Sequence, residues 1–187
     1  MPKINQAATN QTIELLFITL TKNAEIQKFQ ATLQQNINTK RLSSTTEQDF
    51  FDRLMLNIAY FAESKKMWAK ILHTMLTSQE SITRTSVEAR VLQEQMVIRE
   101  SIATKMDGYK EIFHKQYETL GVTAEDIIYD YAYASVEHSL RFDFLSYIIE
   151  KNAVDSLKAS DIEETIRIID GYVSYYADQY VNQMELK

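Results

Sequence analysis

Residues 123–152 read TAEDIIYDYAYASVEHSLRFDFLSYIIEKN and govern the interpretation of the whole chain. The stretch opens on Thr123-x-x-Asp126, the spacing of a capping box, in which two side chains satisfy the first free amides of a helix. Most of the following positions are apolar, and the polar ones share an arc of roughly 60° on a helix of ~3.6 residues per turn. These polar residues are Asp126, Asp130, Glu137 and Arg141. So narrow a polar stripe predicts a helix covered on two sides, either within its own bundle or by the core and a second subunit.

The composition of the chain favours an all-α protein. Its 187 residues include Gly 3, Pro 1 and Cys 0, with a net charge of −6. A β-sandwich needs frequent turn residues, and a phosphate-binding loop needs clustered glycines, so both are excluded. The lack of cysteine excludes disulfides, thiolate metal sites and a cysteine nucleophile. The acidic balance argues against autonomous nucleic-acid binding, and no apolar run is long enough for a membrane span.

Apolar residues recurring at spacings of three and four predict a bundle of about six to seven helices. We expect residues 1–9 to be frayed and residues 10–187 to form a single domain. Asn23 is expected to kink or split the first helix, and residues 38–44 to form a loop. Gly108 marks a bend or a close helix contact, and Gly121 a left-handed helix end. The predicted helices cover residues 12–37, 44–64, 67–76, 83–120, 123–152 and 160–183, with further capping boxes at Ser44-x-x-Glu47 and Ser160-x-x-Glu163.

The residues offer little support for catalysis. Glu111-x-x-His114 has the spacing of one half of a di-iron site, but such a site needs the motif twice and two further glutamates. His73 is interpreted as a core or rim histidine, and His138 as a buried donor at a packing or subunit interface. No nucleophile elbow, zinc-binding helix or P-loop motif occurs. We therefore predict a protein that is not an enzyme and holds no cofactor or metal.

The aromatic residues allow two interpretations. The chain has Tyr 11, Phe 8 and Trp 1, several of them on helix faces predicted to point inward. Core packing explains them most simply. A largely apolar pocket between helices, with tyrosine hydroxyls orienting a ligand, is the alternative.

Several stretches resemble the C-terminal regulatory domain of TetR-family transcriptional regulators. Residues 49–72 resemble the family's paired helices around a short polar break, residues 120–136 the opening of its dimerisation region, and residues 159–172 its final helix. The stretches that carry the resemblance are 49–54 (DFFDRL), 61–72 (FAESKKMWAKIL), 120–126 (LGVTAED), 131–136 (YAYASV) and 159–172 (ASDIEETIRIIDGY).

The resemblance implies a dimer and a ligand pocket. In this family the last two helices pair across a two-fold axis as a four-helix bundle, which suits the predicted helices at residues 123–152 and 160–183, both of which are apolar on more than one face. The implied dimer interface consists of Tyr131, Ser135, His138, Phe142, Ile169, Tyr172 and Tyr176. The implied pocket for a small apolar ligand consists of Trp68, His73, Tyr109, Phe113 and Tyr133.

The N-terminal part of the sequence departs from the family pattern. A complete regulator begins with a three-helix DNA-binding domain that has a glycine at its turn. Residues 1–44 have no glycine and no basic recognition helix, and they are similar to the helix that follows such a domain. The resemblance thus implies a regulatory domain without its DNA-reading part.

The sequence leads to one main hypothesis and two rivals. The main hypothesis is a cytoplasmic, homodimeric TetR-like domain that binds a small apolar ligand or pairs with a full-length regulator, without direct contact to nucleic acid or membrane. One rival is a small helical metal-binding protein or enzyme using His73, His114 and nearby carboxylates. The other is a phage- or plasmid-type inhibitory protein that acts through surface contacts and has a filled core.

Overall fold

The fold of the protein is all-helical, as predicted. The computed structural model describes residues 6–79, 82–158 and 161–186, and these ranges contain eight helices and no strand. No helix among the described residues combines the length and apolarity that crossing a bilayer requires. The helices are α1 (Gln6–Thr21), α2 (Ala24–Ser43), α3 (Glu47–Thr77), α4 (Arg84–Thr104), α5 (Met106–Leu120), α6 (Ala124–Glu150), α7 (Val154–Lys158) and α8 (Ile162–Asn182).

The first part of the chain is more helical than its sequence suggests. The split at Asn23 is confirmed, because α1 ends at Thr21 and α2 begins at Ala24. The predicted loop at residues 38–44 is wrong, since α2 continues to Ser43. Two cations in its last turn, Lys40 and Arg41, complement the negative end of the helix dipole. Helix α1 already begins within the stretch expected to be frayed, whose first five residues lie outside the described ranges.

The expected pair of helices at residues 44–64 and 67–76 is one continuous helix, α3. Its cap is Thr46, whose side chain accepts a hydrogen bond from the Asp49 amide at 3.0 Å. Ser44, the predicted cap, instead donates through Oγ to the Lys40 carbonyl at 2.7 Å. The apolar row continues through the polar stretch that suggested a break, because Ser64 within it is buried. Helix α3 therefore does not show the short break on which part of the TetR resemblance was based.

The predicted helix at residues 83–120 is divided in two. It breaks at Lys105, three residues before the expected bend at Gly108, giving α4 and α5. Gly121 ends α5 with φ 63°, which confirms the predicted left-handed residue. The short helix α7 was not predicted.

The capping predictions for the last two long helices have different outcomes. The Thr123/Asp126 capping box of α6 is confirmed in both directions. Helix α8 is capped by Asp161, which accepts from the Glu164 amide at 2.9 Å. The predicted cap Ser160 lies outside the described residues.

Helix α6 is covered on two sides by its own chain. Its main neighbours are α3 and α8, and α1 and α2 also pack against it. On the α3 side the fully buried Trp68 donates through Nε1 to the Arg141 carbonyl at 2.8 Å. On the opposite side α8 runs antiparallel to α6, since Tyr129 lies beside Asp178 and Arg141 beside Asp170. The two-sided apolar pattern of α6 thus reflects a central position in the bundle.

Helix α1 closes the bundle against α6 and α8. Its fully buried Phe17 stacks on Phe144 of α6, with ring centroids 4.6 Å apart, and on Tyr172 of α8 at 5.4 Å. At the end of the helix the Thr21 carbonyl accepts a hydrogen bond from the Tyr180 hydroxyl at 2.9 Å. One aromatic side chain therefore joins three helices.

Helix α2 fixes the C-terminal segment through side chains that bind its backbone. Gln30 donates through Nε2 to the Tyr180 carbonyl at 2.6 Å, and Gln34 donates to the Glu185 carbonyl at 2.7 Å. Arg41 reaches the Leu186 carbonyl at 3.2 Å. These donors bind carbonyls at and beyond the end of α8, where no further helical turn supplies an amide, and the Tyr180 carbonyl also accepts from the Gln183 amide at 3.2 Å.

Replacing Phe17 with alanine should destabilise the bundle strongly. Removing a fully buried phenylalanine leaves a cavity and costs about 3–5 kcal/mol, which urea denaturation followed by circular dichroism would measure. Leu15→Ala is the matched control, because Leu15 lies on the same helix with 64 % of its surface exposed. It should change the unfolding free energy by less than about 0.5 kcal/mol. Similar losses in both variants would contradict the role given to Phe17.

Candidate functional site

An open, largely apolar groove of about 420 Å³ lies between α4 and α6. Pockets that bind small molecules are mostly apolar with a few polar groups, and their volumes are on the order of 300–1,000 Å³. This groove has both properties. Its lining residues are Val87, Glu88, Val91, Leu92, Gln95, His138, Phe142, Leu145 and Ser146.

The groove exists because α4 packs mainly on α3 and only lightly on α6. Val87, Ile98 and Ile102 form the buried row of α4, at spacings that place them on one face. Leu92 lies outside that row and keeps 62 % of its surface exposed. The gap that α4 leaves beside α6 is therefore open to solvent but lined by aliphatic and aromatic side chains.

His138 is half-buried at the wall of the groove, within a group of aromatic rings. Its ring centroid lies 4.9 Å from that of Phe142, 5.0 Å from Phe61 and 5.9 Å from Tyr60. Burial lowers the pKa of His138 to about 4, and the positive charge of Arg141 acts in the same direction. The imidazole is therefore neutral at neutral pH, and the inner wall of the groove carries no charge.

A charged group lies behind this wall, between α6 and α8. The Arg141 side chain, only 4 % exposed, lies above the Trp68 ring at 5.7 Å. Its Nη2 is 2.8 Å from Glu137 Oε2, and its Nε donates to Asp170 Oδ1 at 3.1 Å. Because two carboxylates pair with this one buried guanidinium, Arg141 has a structural role and is not free to bind an anion.

The residues of the implied ligand pocket lie in different parts of the fold. Trp68 is fully buried under α6, whereas His73 on the same helix is exposed. Tyr109 and Phe113 stack along α5 with centroids 6.1 Å apart. Tyr133 lies on the α8 side of α6, where its hydroxyl donates to the Ser174 carbonyl at 3.3 Å. The structure therefore does not bring these five residues together around one cavity.

Three residues of the implied dimer interface are buried inside the single chain. Tyr131, Ser135 and Ile169 have at most 5 % of their surface exposed. They face neighbouring helices of the same chain and therefore present almost no surface in this structure.

The other four residues of that interface occupy two different places. Tyr172 and Tyr176 stack on Phe17, at 5.4 and 6.1 Å. Helix α1 thus covers the part of α8 that was expected to pair with a partner. His138 and Phe142 line the groove.

The Glu111/His114 pair does not form half of a metal site. His114 Nε2 lies 2.9 Å from Asp52 Oδ1 and 2.9 Å from Gln48 Nε2, which links α5 to α3. Glu111 instead pairs with Lys115 at 3.1 Å. Among the described residues, no three His, Asp or Glu side chains are grouped so that they could hold a metal ion.

Sequence reasoning missed the aliphatic half of the groove. Val87, Val91 and Leu92 gave no distinct signal, because the prediction placed them in one long helix whose quoted apolar seam began only at Ile98. The sequence could have predicted a second apolar edge on α4. Leu92 and Met96 are four residues apart, and both lie off the row of buried side chains. That edge alone does not identify the helix across the groove.

Comparison with known proteins gives no relative from which a function could be taken. No family model, no curated protein and no solved structure matches this chain. The function is therefore inferred from the geometry of the groove.

The lowered pKa of His138 predicts a loss of stability in mild acid. In the unfolded chain this histidine takes up a proton near its ordinary pKa of 6.5, whereas in the fold it does so only near about 4. Stability is thus lost as the pH falls from about 6.5 to 4, by at most about 3 kcal/mol from this group. Urea denaturation from pH 7 to pH 4 should show a smaller loss in His138→Phe than in the wild type.

The exposed His73 provides the control for this measurement. His73→Gln also removes one imidazole, but from an exposed position, and should keep the pH dependence of the wild type. An unchanged pH profile in His138→Phe would contradict the neutral, buried state of His138.

Proposed function

We propose that this protein is a non-enzymatic regulatory or interaction domain, similar to TetR-family regulatory domains, that binds a small apolar ligand in the groove between α4 and α6. The observation that carries the proposal is the groove itself, about 420 Å³ in volume with walls formed by Val87, Val91, Leu92, Phe142 and Leu145. Apolar walls left open to water favour occupation by an apolar molecule, since this removes apolar surface from solvent.

The charges around the groove favour an uncharged ligand. The imidazole of His138 is neutral at its wall. At the rim, Glu88 pairs with Arg84 of the same helix at 2.8 Å, which balances its charge. An ionised ligand would lose hydration in the groove without gaining an opposite charge there, and this costs free energy.

The regulatory part of the proposal is supported by the arrangement of the last two long helices. The resemblance implies that these two helices pair with those of a second subunit, and within the chain α6 and α8 already form an antiparallel pair. A ligand held between α4 and α6 contacts the central helix of the bundle, so its binding free energy stabilises the folded arrangement around α6.

The proposal can be tested with the neutral fluorescent dye Nile red. We expect the dye to bind the full chain. Its fluorescence should increase on binding and reach saturation as protein is added. Val91→Trp should weaken binding at least about tenfold, that is by about 1.4 kcal/mol, because the indole fills the groove. Fluorescence titration with each purified variant measures the effect.

Val97→Trp is the matched control for this experiment. Val97 lies on the same helix with 58 % of its surface exposed, and it is not among the lining residues. This variant should bind the dye as the wild type does. The proposal fails if the dye does not bind, or if both tryptophan variants bind it equally well.

The metal-binding alternative is tested separately by elemental analysis of the purified protein. The groove requires no metal, so the proposal predicts no stoichiometric iron or zinc. A stoichiometric metal would favour the rival hypothesis, which used His73, His114 and nearby carboxylates. In the structure His114 contacts Asp52, whereas His73 is exposed one helix turn from the end of α3.

A further inference from the structure

Among the described residues that line the groove, His138 is the one aromatic side chain with ring nitrogens, one of which donates and one of which accepts. A neutral imidazole carries one N–H and one free lone pair. Among the described residues neither nitrogen has a hydrogen-bond partner, and the ring contacts are all with other aromatic rings. The imidazole nitrogens are not among the buried atoms that lack a partner, so they are accessible from the open groove, where a ligand group or water can pair with them.

Neighbouring side chains hold this ring in place. Phe61 and Tyr60 of α3 pack on one part of it, and Phe142 lies one helix turn away on α6. The ring is thus fixed by packing rather than by hydrogen bonds. Fixed polar groups in an otherwise apolar pocket select ligands more strongly than mobile ones, because little conformational entropy is lost on binding.

The other polar side chains that line the groove are Glu88, Gln95 and Ser146. Glu88 is paired with Arg84, and Gln95 and Ser146 are uncharged. Among the described residues that line the groove there is no lysine or arginine to compensate a carboxylate or phosphate. Hence a ligand group that pairs with His138 gains most when it is itself neutral and can both donate and accept, as a hydroxyl does.

We propose that His138 is the specificity-determining residue of the groove and selects an uncharged aromatic ligand that carries a hydroxyl group. The hydroxyl hydrogen-bonds to an imidazole nitrogen of His138, while the aromatic body of the ligand packs on Phe142 and on the aliphatic wall formed by Val87, Val91 and Leu145. This inference rests on the proposed function, because it names the ligand class of the same groove.

The test compares naphthol with naphthalene, which share an aromatic body and differ by one hydroxyl. Each compound competes with Nile red on the full chain at pH 7. A neutral hydrogen bond contributes about 1 kcal/mol, so the wild type should bind naphthol about fivefold more tightly than naphthalene. In His138→Phe, which keeps an aromatic ring of similar shape, the two affinities should agree within about twofold.

Tyr60→Phe is the matched control, since it also removes one polar atom from a ring that contacts His138 but is not among the lining residues. It should keep the preference for naphthol. Nitrogen NMR of the wild type should show a shift of the His138 ring nitrogens with naphthol and none with naphthalene. A merely structural role of His138 would produce no such ligand-specific shift.

The outcomes separate the two proposals. If Nile red binds and Val91→Trp blocks it, but naphthol and naphthalene bind equally, the role of His138 is overturned and the proposed function stands. A naphthol preference that persists in His138→Phe also overturns it. If Nile red and both compounds fail to bind, both proposals fall.

Discussion

The structure depends on the burial of α6 between two layers of its own chain. Trp68 of α3 covers one side of this helix, and Phe17 of α1 with the buried row of α8 covers the other. Each fully buried large apolar side chain contributes about 1.5–3 kcal/mol from loss of contact with water. The other helices are arranged around this central one, and their remaining gaps determine where a ligand can enter.

Among the described residues of α6 and of the helices that cover it, one charged side chain is buried, that of Arg141. Arg141 lies between α6 and α8, held by Glu137 and Asp170. A buried ion pair contributes little net stability, but it disfavours other registers of the two helices, since a shifted helix would leave the guanidinium uncompensated. Burial is the main reason why the pKa of the neighbouring His138 is lowered, and the same positive charge acts in that direction, which links the packing of α8 to the polarity of the groove.

Much of the local structure could be predicted from spacing in the sequence. The split at Asn23, the capping box of α6 and the left-handed Gly121 each follow from a few neighbouring residues. The continuity of α3 and the break at Lys105 could not be predicted in this way. Both depend on tertiary packing, which decides whether distant side chains bury a polar stretch or leave it in water. Tertiary packing outweighs local helix propensity.

The amino-acid sequence by itself determined that this chain is helical and that α6 is apolar on more than one side, because both properties are periodic along the chain. It did not determine what covers α6. The sequence left two covers open, its own bundle or the core together with a second subunit, and in the structure Phe17 of α1 covers α6 from within the chain. The groove was likewise decided by tertiary structure alone, since it is a gap between Val91 and Phe142, about fifty residues apart, and a gap leaves no periodic signal in either helix.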